Sequence, residues 1–219
     1  MPQGLGSRLR FLESARAPRG ARFSHIDEDI FTRHTYNMNT LPLLEGAVRL
    51  AVRAHAGQMR KESDTPYVTH LIGVALILAK HGFSDTVIAA GLAHDTVEDT
   101  DVTPEELRET LGEEVADMVA AATNDDLLSW EEKKKKYIES IRNSSEGAKA
   151  VATADKIHNA ESLLAAYSEQ GTELWKLFNA GRDKKLWFEN AMLTMLRETW
   201  DHPLVDEYGV LVEKMNALV

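Results

Sequence analysis

The sequence predicts an all-α chain, a compact multi-helix fold, on three observations. Apolar residues recur at mixed i, i+3 and i+4 spacings along most of the 219 residues. No stretch keeps the strict apolar-polar alternation of a half-buried strand. Helix start and stop signals punctuate the chain at intervals of about one helix length. An apolar content of 43% is enough for one good core.

The elements follow in order. Residues 1–40 read as an N-terminal tail, expected to be mobile, and residues 41–219 as a single domain. The first 24 residues set Arg8, Arg10, Arg16, Arg19 and Arg22 against one acid, Glu13, among Gly, Ser and Pro. They lack the continuous apolar core of a secretory signal. Leu43 to Met59 is predicted as one helix, and Arg60 to Thr65 as a loop. Pro66 then suits the first turn of a helix carrying His70. Val87 to Ala93 is an apolar, small-residue run typical of a buried helix. Thr103-Pro104-Glu105-Glu106 is a strong helix start, with Thr103 as N-cap, Pro104 at the first position and Glu106 completing a capping box. Further helices are predicted over Trp130 to Arg142, Gly147 to Glu169, Glu173 to Trp200 and Leu204 to Leu218, with Gly82, Gly112 and Gly171 as stops.

The chemistry is concentrated in His94-Asp95-Thr96-Val97-Glu98-Asp99. On a helix, His94 and Glu98 are i,i+4 partners, as are Asp95 and Asp99, so four groups able to bind a cation or move a proton crowd one turn. Neighbouring carboxylates raise one another's pKa values, and burial raises them further, so stability alone does not favour the cluster unless a cation offsets it. Two more ligand types sit in similarly apolar helical settings: His70, within Pro66 to Leu78, and Asp155, within Ala148 to Asn159. Each alone reads more readily as a satisfied core residue. Together with His94 and Asp95 they make a His, His-Asp, Asp set.

The ordered boxes Pro66-Tyr67-Val68-Thr69-His70, Ala93-His94-Asp95-Thr96-Val97-Glu98-Asp99-Thr100 and Ala154-Asp155-Lys156-Ile157-His158-Asn159 resemble the HD-domain superfamily. Within it they are most similar to the RelA/SpoT-type alarmone hydrolases and the small stand-alone hydrolases that resemble the metazoan SpoT homologue. The resemblance spans about Leu43 to Leu164. It implies an HD-type hydrolase fold, metal ligation by His70, His94, Asp95 and Asp155, and activation of water by Glu98 and Asp99. It also implies substrate contacts from the basic pair Arg60 and Lys61 and from Asn159. Asn159 stands four residues after Asp155, on the same helix face. The implied activity is release of pyrophosphate from (p)ppGpp, with Mn²⁺ as the favoured metal. A ligand set of two imidazoles and two carboxylates also suits Fe²⁺, Ni²⁺ or Zn²⁺. The alternatives are an HD phosphohydrolase acting on another nucleotide, such as an NADPH 2′-phosphatase, and a non-catalytic nucleotide-binding module.

The chain departs from the alarmone-hydrolase pattern in two places. Leu71 follows the first-box histidine where proline is usual, and Ala160-Glu161-Ser162 stands where a basic segment is usual. The second change puts an acid one turn beyond Asn159, and Lys133 to Lys136 could supply replacement charge. An equally good reading makes those lysines a solvated face, with Glu131 and Glu132 pairing to Lys135 and Lys136.

Composition narrows the partners. A net charge of −10 argues against general nucleic-acid binding, whereas a small nucleotide needs only a local basic pocket. With no cysteine, thiolate chemistry is excluded and a reducing cytoplasm is the expected location. No apolar run reaches the roughly 18 residues of a membrane span. His55 reads as structural, and His158 is expected off the face that Asp155 and Asn159 share. His25, His34, His81 and His202 join no constellation, and Trp175, Trp187 and Trp200 are expected in the core.

Overall fold

The computed structural model describes residues 41–60, 65–123, 128–178 and 180–219. The expectations for the N-terminal tail and for Lys61 lie outside the described residues. The described residues belong to one compact unit, and they are largely helical with no strand among them.

Helix α1, Leu41–Ala54, buries Ala47, Leu50 and Ala51. It ends five residues before the predicted Met59, because the chain reverses through Gly57 at φ 80°. The reversal lets Tyr67 N donate to Gln58 O at 2.8 Å and Arg60 N to Thr65 O at 2.9 Å. These bonds form an antiparallel bridge between Met59 and Pro66, and they place Arg60 and Tyr67 on either side of it.

Helix α2, Val68–Lys80, carries His70. Helix α3, Asp85–Ala93, starts where Ser84 accepts a bond from Val87 N. It buries Ala89, Ala90, Gly91 and Ala93 almost completely. A helix this narrow can be crowded on every side, and α3 packs against both α1 and α2. At Gly91 a Cβ would stand only 2.5 Å from Leu78 Cδ1, so only glycine permits the α2 approach without a shift.

The HD pair is where the structure departs from the sequence expectation. The helix does not run on through His94 to Asp99: α3 stops at Ala93, and α4, Thr96–Asp99, begins afresh after Asp95. Two carbonyls of the last α3 turn are taken by side chains. His94 Nδ1 donates to Gly91 O at 2.8 Å and Thr96 Oγ1 to Ala93 O at 2.7 Å. The break costs few hydrogen bonds and turns His94 and Asp95 toward the interior.

Helices α5, Pro104–Leu111, and α6, Glu113–Ala122, follow. Thr103 caps α5 by accepting from Glu106 N at 3.1 Å, while the Glu106 carboxylate reaches Arg53 of α1 instead of closing the box. The complete capping box, between Ser129 and Glu132, opens α7, Trp130–Arg142. Helix α8, Glu146–Gln170, carries Asp155 and is buried along most of its first half. A 3₁₀ helix, Gly171–Leu177, and α9, Gly181–Thr199, occupy the region expected as one long helix. Helix α10, Pro203–Asn216, closes the unit. Gly82, Gly112 and Gly171 all end helices at positive φ, as predicted.

The architecture is a central pair, α3 and α8, enclosed by the other helices. Both α2 and α6 touch both members of the pair, and α10 packs on α8 and α9. The two helices that bring in the distant site residues, α2 and α8, lie directly against each other.

Candidate metal centre and adjoining cleft

Four side chains from three parts of the chain meet beside α3. His70 comes from α2, His94 and Asp95 from the α3–α4 junction and Asp155 from α8. The two Nε2 atoms of His70 and His94 are 3.3 Å apart. Asp95 Oδ2 lies 3.1 Å from His94 Nε2 and 3.6 Å from His70 Nε2. Asp155 Oδ1 lies 3.2 Å from His70 Nε2 and 3.7 Å from His94 Nε2. His70 and His94 are buried, and Asp95 is partly exposed.

The chemistry of these donors fits a divalent cation. His94 Nδ1 donates to Gly91 O, so Nε2 is the ring atom left to face the cluster and a cation there. His70, His94 and Asp95 each offer one atom within 4.8 Å of the others and could hold a metal. Burial opposes charge on both carboxylates, yet His94 beside Asp95 holds it down at about 2. Lys156, with His70 and His94, holds Asp155 well below the ordinary carboxylate range. Burial works against a proton on His94 as well, but Asp95 and Asp155 raise its pKa well above the usual imidazole value. The two carboxylates demand positive charge at the point where the imidazole nitrogens converge.

Each ligand-type side chain has a support. Tyr67 donates its hydroxyl to Asp95 Oδ2 at 2.6 Å, and its ring stacks on His55 with centroids 5.0 Å apart. His55 thus backs the ring whose hydroxyl binds Asp95. On α8, Lys156 donates to Asp155 Oδ2 at 2.7 Å and Asn159 to Asp155 Oδ1 at 2.5 Å. Arg60 reaches Asn159 Oδ1 at 3.1 Å, so Arg60, Asn159 and Asp155 form one chain of contacts. Arg60 and Asn159 therefore come together with the candidate ligands.

A cleft of about 530 Å³ opens from this cluster, with His94, Asp95, Glu98, Asp99 and Asp155 on its acidic side. Lys133, Lys134, Lys156 and Lys185 line it as well. The four-lysine run is thereby divided. Lys133 and Lys134 face the cleft, and Lys135 pairs with Glu131 on the surface at 3.0 Å. Of the two pairings expected on the surface, the one between Glu131 and Lys135 is formed, while the Glu132 carboxylate binds Ser129 in the capping box. Burial, with Lys156 nearby, lowers Lys134 to about 8. Burial raises Asp99, and Asp95 and Glu98 add to the effect. Glu161, the departure flagged in the sequence, is exposed and does not line the cleft.

Sequence reasoning missed three features of the site. His158 does reach it, with Nδ1 2.9 Å from His70 Nδ1. The spacing of three residues from Asp155 was the available signal, since i,i+3 neighbours also share a helix side. Lys156 had a signal in its place next to Asp155, with which it pairs, whereas Lys185 had none, because its role depends on how α9 packs. Lys185 donates to the buried Glu189, which also receives the Tyr208 hydroxyl. The tryptophans also divide: Trp200 is buried, but Trp187 is 40% exposed and its ring lies 6.1 Å from Trp130 at the cleft. The core assignment of Trp187 is corrected, because that side of α9 faces outward.

Comparison with known proteins agrees with this geometry. The HD domain family matches residues 47–183, well over half of the chain. The chain belongs to the HD domain family. Among curated relatives, this HD domain chain is 44% identical over 134 residues to guanosine-3′,5′-bis(diphosphate) 3′-pyrophosphohydrolase MESH1 of Homo sapiens, covering 60% of this chain and 74% of the relative. The Danio rerio protein of the same name is 41% identical over 130 residues, covering 58% of this chain and 72% of the relative. A solved structure described as a metazoan ortholog of SpoT that hydrolyses ppGpp superposes with a TM-score of 0.69 at 27% identity. It covers 85% of this chain and 100% of its own. No helix among the described residues is long and apolar enough to cross a membrane.

Proposed function

We propose that this HD domain, over residues 41–219, is a metal-dependent nucleotide phosphohydrolase that acts on guanosine 3′,5′-bis(diphosphate), releasing pyrophosphate from its 3′ position. The observation that carries this reading is the convergence of His70 and Asp155 on His94 and Asp95 at the edge of a lysine-lined cleft. The names of the curated relatives point to the same reaction.

His70, His94, Asp95 and Asp155 hold the ion, with Mn²⁺ favoured. When bound, such an ion polarises a phosphoryl oxygen and lowers the pKa of coordinated water. The protein supplies the rest. Glu98 and Asp99 stand at the cleft beside the ligands and take the proton of the attacking water. The raised pKa of Asp99 suits a group that must accept and then release a proton. Lys133, Lys134, Lys156 and Lys185 bind the phosphates. They replace the charge that Ala160-Glu161-Ser162 does not provide. Arg60, with its partner Asn159, contacts the base and sugar, and Lys61 joins Arg60 in that role.

The test is product analysis by ion-exchange chromatography after incubating Mn²⁺-loaded protein separately with ppGpp and NADPH, with Asp95→Ala as control. Mn²⁺-dependent appearance of pyrophosphate and GDP is the expected result. Preferential release of phosphate from NADPH would replace the substrate assignment, and turnover of neither would remove the enzymatic one.

A further inference from the structure

We propose that His158 is a positioning residue that fixes the tautomer of His70 and so sets the affinity of the centre for its cation. The inference rests on the metal-centre reading above and assigns a role to a side chain that this reading leaves unused.

The two histidines of the cluster are oriented by different means. His94 has a backbone acceptor, Gly91 O, for its Nδ1 proton, so its Nε2 lone pair is set by the main chain. His70 Nδ1 faces another imidazole, with His158 Nδ1 at 2.9 Å. A single hydrogen bond between two neutral rings needs one proton on one of the two Nδ1 atoms. For His70 to offer Nε2 to a cation, that proton must be its own. His158 then accepts at Nδ1 and carries its proton on Nε2.

The position of the His158 ring is built into α2. A Cβ at Gly73 would lie 2.2 Å from His158 Cδ2 and 2.3 Å from His158 Nε2. The glycine leaves a slot in the α2 surface that the ring fills, one turn beyond His70. The ring centroids of His70 and His158 are 4.8 Å apart, inclined at 62°. Helix α8 therefore serves the cluster twice within one turn, through the carboxylate of Asp155 and, three residues later, through the acceptor that orients His70. Outer-shell partners of ligating histidines commonly change metal affinity by about 10–100-fold when removed.

The experiment is Mn²⁺ titration calorimetry on the full-length chain and its His158→Leu, His158→Asn and Gly73→Ala variants, with thermal unfolding of each metal-free protein. Long-range ¹H–¹⁵N NMR of the imidazoles reads the His70 tautomer directly. His158→Leu is expected to weaken Mn²⁺ binding about 10–100-fold and to move the His70 proton from Nδ1 toward Nε2. His158→Asn, whose amide oxygen can stand near the Nδ1 position, is expected to remain within about fivefold of wild type. Gly73→Ala, which displaces the ring, is expected to resemble His158→Leu. Equal affinity in His158→Leu and wild type overturns the inference, as does an unchanged His70 tautomer. If His158→Leu does not fold, the wild-type tautomer decides: a proton on His70 Nε2 overturns the inference. Absence of Mn²⁺ binding by the wild-type protein instead sinks the metal-centre reading itself.

Discussion

The two halves of the centre are built differently. His94 and Asp95 are adjacent in the chain, at the end of α3, and the turn that presents them is made inside one short segment, by His94 to Gly91 O and Thr96 to Ala93 O, with the Tyr67 hydroxyl added on Asp95. His70 and Asp155 lie 85 positions apart and meet only because α2 packs on α8. Their supports are side chains: His158 behind His70, and Lys156 and Asn159 around Asp155. The local half is held chiefly by covalent neighbours and the main chain, with one hydroxyl from outside. The distant half is held by packing and by buried polar pairs, so its precision depends on how α2 and α8 are seated against each other.

The largest effects should come from removing a ligand in either half. Asp95→Ala and Asp155→Ala should each abolish Mn²⁺-dependent turnover, by more than about 10³-fold, because a polarised phosphoryl oxygen is worth several kcal/mol. Loss in one half alone, measured as kcat/KM, would break the equivalence of the two. Glu98→Gln tests the local half without touching a ligand: turnover should fall about 10²-fold or more, with Mn²⁺ affinity by calorimetry retained.

Stability should separate the halves further. Lys156 is largely buried against Asp155, and Lys156→Met would leave that carboxylate short of its partner, at a cost of about 3 kcal/mol. Urea unfolding of the metal-free protein should register this loss. Tyr67→Phe, which removes one bond to the better-exposed Asp95, should cost closer to 1 kcal/mol in the same assay. Equal losses would erase the distinction between the halves. Mn²⁺ at 100 times its Kd should add about 2.7 kcal/mol to wild-type stability, and EDTA should remove that increment.

The smallest effect is a pH dependence on the cleft wall. Lys134, lowered to about 8 by burial and by Lys156, is charged below that pH and neutral above it. KM for ppGpp should therefore rise several-fold as the pH passes from 7 to 9, with kcat less affected. In Lys134→Gln the KM should start high, and the component from this group should be absent.

Much of this protein was legible in its sequence, for physical reasons that can be named. Helix identities follow from local periodicity and caps: Trp130–Arg142 matches its prediction at both ends, and Gly82, Gly112 and Gly171 mark real stops. Cap chemistry and positive-φ glycines act over a few residues, so they can be read without the fold. The ligand-type residues were legible because a His or Asp inside an apolar helix is costly unless paired.

What the sequence could not fix was decided in the folded chain, by side-chain bonds at one helix end and otherwise by contacts between elements. The break at His94 and Asp95 exists because side chains there satisfy the carbonyls that a continuous helix would have used. The interruption of the expected Glu173 to Trp200 helix, and with it the outward turn of Trp187, emerges only in the folded chain. The lysine wall is drawn from α7, α8 and α9, whose relative placement no local pattern encodes. The reach of His158 to His70 requires a slot 85 residues earlier, at Gly73, which in the sequence is simply a glycine within a helix. Local backbone energetics set the parts, and long-range packing chose which of them touch.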